Sequence, residues 1–134
     1  MMHKVMIVDD SAMMRVVISN FVSSLPEFRV VASAENGKVA LELLPKFPDL
    51  NLILLDIEMP GMNGLEFLRH AKMRTRAKVI ILSSVASAGS KQAAEARSLG
   101  ADAIITKPSG AVSMDLADKR GAELARVMSR VLAA

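Results

Sequence analysis

The chain has 134 residues, 51% apolar but only 3% aromatic, with ten methionines, no cysteine and a net charge of +3. That is one domain's length with an aliphatic core, in which thioethers fill irregular packing gaps. The lack of cysteine excludes a disulfide scaffold, thiol chemistry and cysteine-ligated zinc, and no apolar segment approaches the roughly 20 residues of a membrane span.

His3–Val8 predicts a first strand that stops at Asp9-Asp10. Ser11 stands where it can cap a helix, and Met14, Ile18, Phe21 and Leu25 then recur at helical spacing until Pro26 ends the pattern. Arg29–Ala34 reads as a second strand. After Asn36-Gly37, the residues Val39, Ala40, Leu43, Leu44 and Phe47 stripe a second helix that Pro48 closes. Leu52–Leu55 is an unbroken apolar run too short for a helix, the mark of a central strand covered on both faces. It ends at a carboxylate, Asp56.

Pro60, Gly61, Asn63 and Gly64 form the loop that follows, and Leu65, Phe67 and Leu68 open a third helix running to about Met73. Val79–Leu82 is a fourth apolar strand, ending at Ser83-Ser84. Lys91–Leu99 is a fourth helix, with Gly100 where a left-handed backbone is needed. Ala103–Thr106 reads as a fifth strand and Lys107-Pro108-Ser109-Gly110 as a turn. Ser113 caps a final helix carrying Leu116, Leu124, Val127, Met128 and Val131. The alternation is (βα)5 over a single domain, residues 1–134, which implies a three-layer, doubly wound α/β fold with a parallel sheet.

Five-stranded sheets of this kind usually take the flavodoxin-like order 2-1-3-4-5, with the topological switch between strands one and three. On that order Asp9, Asp10 and Asp56 converge on one crevice, Ser83 or Ser84 ends the next strand, and Lys107 ends the fifth. Taken singly, each is an ordinary cap or turn residue; their joint placement at strand ends points to a site. Clustered carboxylates repel one another, raise the pKa of at least one member and favour a hard divalent cation such as Mg²⁺. With Lys107 and a serine hydroxyl facing the same anion, the set describes a phosphoryl site in which Asp56 is the nucleophile.

These residues resemble the receiver domains of bacterial two-component response regulators, over essentially the whole chain. VDDS (Val8–Ser11), LLDIEMPGMNGLEFL (Leu54–Leu68), LSS (Leu82–Ser84), LGAD (Leu99–Asp102) and TKPSG (Thr106–Gly110) carry the likeness. It implies Asp56 as phosphoacceptor, Asp10 as a direct Mg²⁺ ligand, Asp9 acting mainly through water and Glu58 offering its backbone carbonyl. Ser83 is then the switch hydroxyl, Ser84 the small residue beside it, and Lys107 the phosphate-contacting cation, joined to Pro108 by a cis peptide. Receivers commonly carry Tyr or Phe three residues before that lysine, whereas this chain has Ile104, which puts the aromatic half of the switch in doubt.

Within that family, DIEMPGMNGLEFLR, SSVASAGS and KPSGAVSMD are most similar to the regulatory domain of chemotaxis protein-glutamate methylesterases. No esterase domain is expected within these 134 residues: their histidines are His3 and His70, and they contain no G-x-S-x-G elbow. An excised regulatory domain and a stand-alone single-domain regulator both fit. The chain is expected to catalyse only its own phosphotransfer and dephosphorylation, with a histidine kinase as donor and an effector reached through helix 4, strand 5 and helix 5.

A cytoplasmic protein without membrane contact is expected, since MMHKVMIVDD lacks a signal peptide's cleavage pattern. The basic excess lies in Arg69–Lys78 and on the last helix. No aromatic residue interleaves with it, so no nucleic-acid contact is expected. The rival readings are an aspartyl-phosphate hydrolase of the haloacid dehalogenase type and a phosphate-independent, receiver-like docking module.

Overall fold

The computed structural model describes residues 2–58, 64–83, 91–106 and 119–133. Strands β1 (His3–Val8), β2 (Phe28–Ala34), β3 (Leu52–Asp56), β4 (Lys78–Ser83) and β5 (Ala103–Thr106) alternate with helices. These are α1 (Ala12–Ser23), α2 (Gly37–Leu43), α3 (Gly64–Lys72), α4 (Lys91–Ser98) and α5 (Lys119–Ala133). The strands form one five-stranded parallel sheet in the order β2-β1-β3-β4-β5, the flavodoxin-like arrangement expected from the βα alternation.

Successive strand residues point to opposite faces, so each apolar strand feeds two cores. Met6, Val8, Ile53, Leu55, Val79 and Ile81 pack with Ala40, Phe67, Leu68 and Ala96 from α2, α3 and α4. Val5, Ile7, Leu52, Leu54, Ile80 and Leu82 face the other way, onto Ile18 and Val22 of α1 and Leu124 and Met128 of α5. Every residue of β3 is buried, which is why its sequence is a continuous apolar run with no alternation. Burying each of its leucines stabilises the fold by roughly 2 kcal/mol.

Helix ends follow from local chemistry. Ser11 Oγ accepts from the Met14 N–H at 3.2 Å, and Asn36 Oδ1 accepts from the Val39 N–H at 2.9 Å. Past α4, the N–H of Ala101 donates to the Ala96 carbonyl and that of Gly100 to the Arg97 carbonyl, the paired bonds of a Schellman motif. Gly100 sits at φ 104°, the left-handed conformation that its place in the motif demands.

The second helix departs from expectation. It ends at Leu43, and Leu44–Lys46 continue as a 3₁₀ turn instead of a helix reaching Phe47. Pro45 is the reason: it has no N–H to give, and its ring meets the carbonyl one turn back. The expected cap at Ser113, Leu116 of the final helix and the Lys107–Pro108 peptide lie outside the described residues.

Candidate functional site at the carboxyl ends of the strands

Register places the acidic residues together. Val8 of β1 pairs with Leu55 of β3, so Asp9 emerges from the sheet beside Asp56. Asp56 in turn pairs with Leu82 of β4, and Ser83 pairs with Thr106 of β5. The ends of β1, β3 and β4 thus present Asp9, Asp10, Asp56 and Ser83 along one edge, at the switch point where open α/β sheets form their binding crevices. Ser84 and Lys107 lie outside the described residues; Lys107 is the residue after Thr106.

One carboxylate oxygen from each of Asp9, Asp10 and Asp56 lies within 4.8 Å of the other two. Asp9 and Asp56 are each 1% exposed, whereas Asp10 is open to solvent at the mouth of the crevice. Buried carboxylates are costly unless polar groups surround them, and the turns after both strands supply such groups. Asp9 Oδ1 accepts from the Ser11 N–H and Asp56 Oδ1 from the Glu58 N–H, both at 2.9 Å. These are i to i+2 bonds, in which each aspartate organises the turn that holds it. The bond to Glu58 also keeps the main chain of that exposed residue against the Asp56 carboxylate.

Ser83 is fully buried, and its Oγ makes no hydrogen bond among the described residues. A buried hydroxyl without a protein partner is uncommon, and it leaves the Ser83 Oγ able to donate to a group entering the crevice. The crevice therefore combines clustered hard oxygen donors, suited to a small divalent cation, with a hydroxyl placed to donate to an anion beside it.

Two site features were not read from the sequence. Arg15, one turn into α1, donates through Nη1 to the Asp9 carbonyl at 2.7 Å and ties the helix to the acidic turn. Its signal was a cation shortly after an aspartate pair, within reach of the first turn of the helix. Gly64, taken as a loop residue, instead begins α3 directly over the chain that follows Asp56; an added Cβ would lie 2.8 Å from the Asp56 carbonyl oxygen. Ile104 pairs with Ile81 and is half-buried against the core under α2, α3 and α4, apart from the acidic edge.

Known proteins resemble this chain in sequence and in fold. The family model of the response regulator receiver domain matches residues 5–117. A protein-glutamate methylesterase/protein-glutamine glutaminase of Treponema denticola is 46% identical over 115 residues, covering 84% of this chain and 30% of the relative. The chain spans about a third of the length of the curated relatives it matches. Among solved structures, it is 57% identical, with a TM-score of 0.82, to a chain in the complex of the P1 domain of CheA3 with CheY6 from R. sphaeroides, covering 98% of both chains. It is 33% identical to the response regulator domain of Thermotoga maritima CheB, with a TM-score of 0.83 and coverage of 98% of this chain and 97% of that one. With the family match spanning most of its length, this chain belongs to the response regulator receiver domains of two-component systems.

Proposed function

We propose that Asp56 accepts a phosphoryl group from the phosphohistidine of a chemotaxis-type kinase, and that Asp9, Asp10 and Asp56 hold Mg²⁺ for the transfer. The observation that carries this reading is the meeting of the three carboxylates within 4.8 Å, two buried and one open to solvent. Asp10 and Asp56 would hold the cation directly, Asp9 mainly through water, and Glu58 through its backbone carbonyl. Bound there, the cation supplies the positive charge that offsets both the carboxylates and the incoming phosphoryl oxygens.

In the transfer, an Asp56 carboxylate oxygen forms a bond to phosphorus as the phosphorus–nitrogen bond to imidazole breaks, and the imidazole leaves with the electron pair. The buried Ser83 hydroxyl then has an acceptor within its reach, and Lys107 pairs with a further phosphoryl oxygen, Ser84 being the small residue beside them. Attack by water on phosphorus of the acyl phosphate breaks its bond to the Asp56 oxygen, returning the carboxylate and releasing inorganic phosphate. Movement of Ser83 and Lys107 is passed to α4, β5 and α5, the output face for an effector domain or downstream protein, as charge-adding modifications bias two-state elements.

The methylesterase relatives favour an effector domain of that activity beyond this segment. The R. sphaeroides complex, whose matched chain is covered to 98%, favours a single-domain regulator served by a kinase P1 domain. The deciding experiment for the phosphoacceptor is transfer from a phosphorylated P1 domain in the presence of Mg²⁺. Wild type should gain acid-labile phosphate, Asp56→Asn none, and Asp9→Asn a reduced amount. Loss in Asp9→Asn with retention in Asp56→Asn would move the nucleophile to β1, as in haloacid dehalogenases. Beryllofluoride with Mg²⁺ should shift the amides of Asp56 and Ser83; an unchanged spectrum at saturation would leave only a docking module.

A further inference from the structure

At the end of the sheet remote from Asp56, the 3₁₀ turn after α2 and the connection from α3 to β4 enclose a groove of about 400 Å³. α3 begins at Gly64, over the Asp56 carbonyl, and ends at Lys72 beside the groove. The two sites are thus separated by the helix's length, on the order of 12 Å.

The lining divides by chemistry. Phe47, Pro48 and Met73 offer apolar surface, and Met73 is 72% exposed, unusual for a large hydrophobic side chain next to other apolar groups. Lys72, Arg74 and Arg76 stand around them. Lys72 is engaged with Asp102 at 3.3 Å, but neither Arg74 nor Arg76 has an ion-pair partner among the described residues, and both are exposed. The segment Arg69–Lys78 contains no carboxylate at all, so its cations are not neutralised by their neighbours along the chain. An apolar floor bordered by exposed guanidinium groups complements a ligand with an apolar anchor flanked by carboxylates.

We infer that this groove docks an acidic peptide segment of a partner protein, one apolar side chain lying over Phe47, Pro48 and Met73 while flanking carboxylates pair with Arg74 and Arg76. Arginine's planar fork suits carboxylates in particular. Docking at this end leaves the carboxylate crevice open, so the same molecule can be held by a partner and still exchange phosphate. The inference does not depend on Asp56 being the acceptor.

The test is an amide-resolved titration of the whole chain with a short synthetic peptide of glutamates around a central Leu-Phe pair. Shifts should concentrate at Phe47 and Met73–Arg76 and spare Asp9 and Asp56. Affinity should fall at least about tenfold between roughly 0.02 and 0.2 M salt. Joint Arg74→Glu and Arg76→Glu substitution should weaken binding by about tenfold or more, and Met73→Ser by about threefold or more. All three positions are exposed, so an unchanged spectral dispersion confirms the fold of each variant. Equal binding of an all-glutamate peptide would reduce the site to diffuse attraction and overturn the proposal. So would shifts located elsewhere, no shifts at millimolar peptide, or tighter binding of tripolyphosphate at the same residues.

Discussion

Gly64 and Ile57 approach so closely that a Cβ on the glycine would lie 2.7 Å from the Ile57 Cα. The same atom would be 2.8 Å from the carbonyl oxygen of Asp56. Both neighbours are backbone, so no side-chain rotation relieves the clash, and either α3 or the end of β3 must move. Gly64→Ala is predicted to lose about 1–3 kcal/mol of stability in urea denaturation. It should also slow phosphate incorporation per folded molecule, because the displaced backbone carries the carboxylate proposed as acceptor. Wild-type values for both would mean that α3 steps back freely and that the contact does not position Asp56.

A substitution at Ser83 separates stability from the switching role proposed for it. Its hydroxyl is fully buried and makes no hydrogen bond among the described residues, so removing it takes away an uncompensated polar group. Ser83→Ala should be as stable as wild type or more stable by up to about 1 kcal/mol. Yet the beryllofluoride-induced amide shifts beyond β4 should shrink, since no hydroxyl follows the new oxygens. Reduced stability with intact shifts would reverse the assignment and make Ser83 a packing residue.

Asp10 tests the cation. Three carboxylate oxygens within 4.8 Å repel one another in the metal-free protein, and Asp10 is the member that can be neutralised without opening a core. Metal-free Asp10→Asn should therefore melt a few degrees above wild type, about 2–5 °C. Adding Mg²⁺ should raise the wild-type midpoint by mass action, and EDTA should return it. The variant should respond little to either. An equal Mg²⁺ response in both proteins would exclude Asp10 as a ligand.

The sequence was most readable where burial is two-sided. Leu52–Leu55 has no alternative to a central strand, and Asp9, Asp10 and Asp56 follow into one crevice once the sheet order is drawn. Local chemistry was nearly as readable: the cap at Ser11 and the left-handed Gly100 each depend on one residue type, whereas Asn36, read only as a break after β2, proves to cap α2. Misreading began where a long pattern outweighed a local veto, as when the stripe through Phe47 hid the break that Pro45 imposes on α2. Contacts between distant segments left almost no trace. Nothing about Gly64 announces that it faces Ile57, or about Arg15 that its reach ends at the Asp9 carbonyl, because both depend on the spacing of folded layers.

Asp102 shows how the remote end of the sheet holds the site without touching it. Its N–H donates to the Val79 carbonyl and its Oδ2 accepts from the Val79 N–H, each at 2.8 Å, so one residue closes both polar groups at the start of β4. Lys72 reaches the same oxygen at 3.3 Å, but the two side chains are 30% and 24% exposed, and such a pair adds little in water. The hydrogen bond to Val79, itself fully buried, is therefore the larger contribution. Asp102→Ala should cost about 1–3 kcal/mol by leaving that N–H without its partner. Asp102→Asn keeps an acceptor oxygen and should cost less than about 1 kcal/mol. Both variants should incorporate phosphate normally per folded molecule, since Asp102 stands before β5 while the acidic crevice lies beyond the opposite strand ends. Equal losses in Asp102→Ala and Asp102→Asn would shift the weight to the charge and to Lys72, and reduced phosphorylation in either would show that strain at one end of β4 reaches Ser83 at the other.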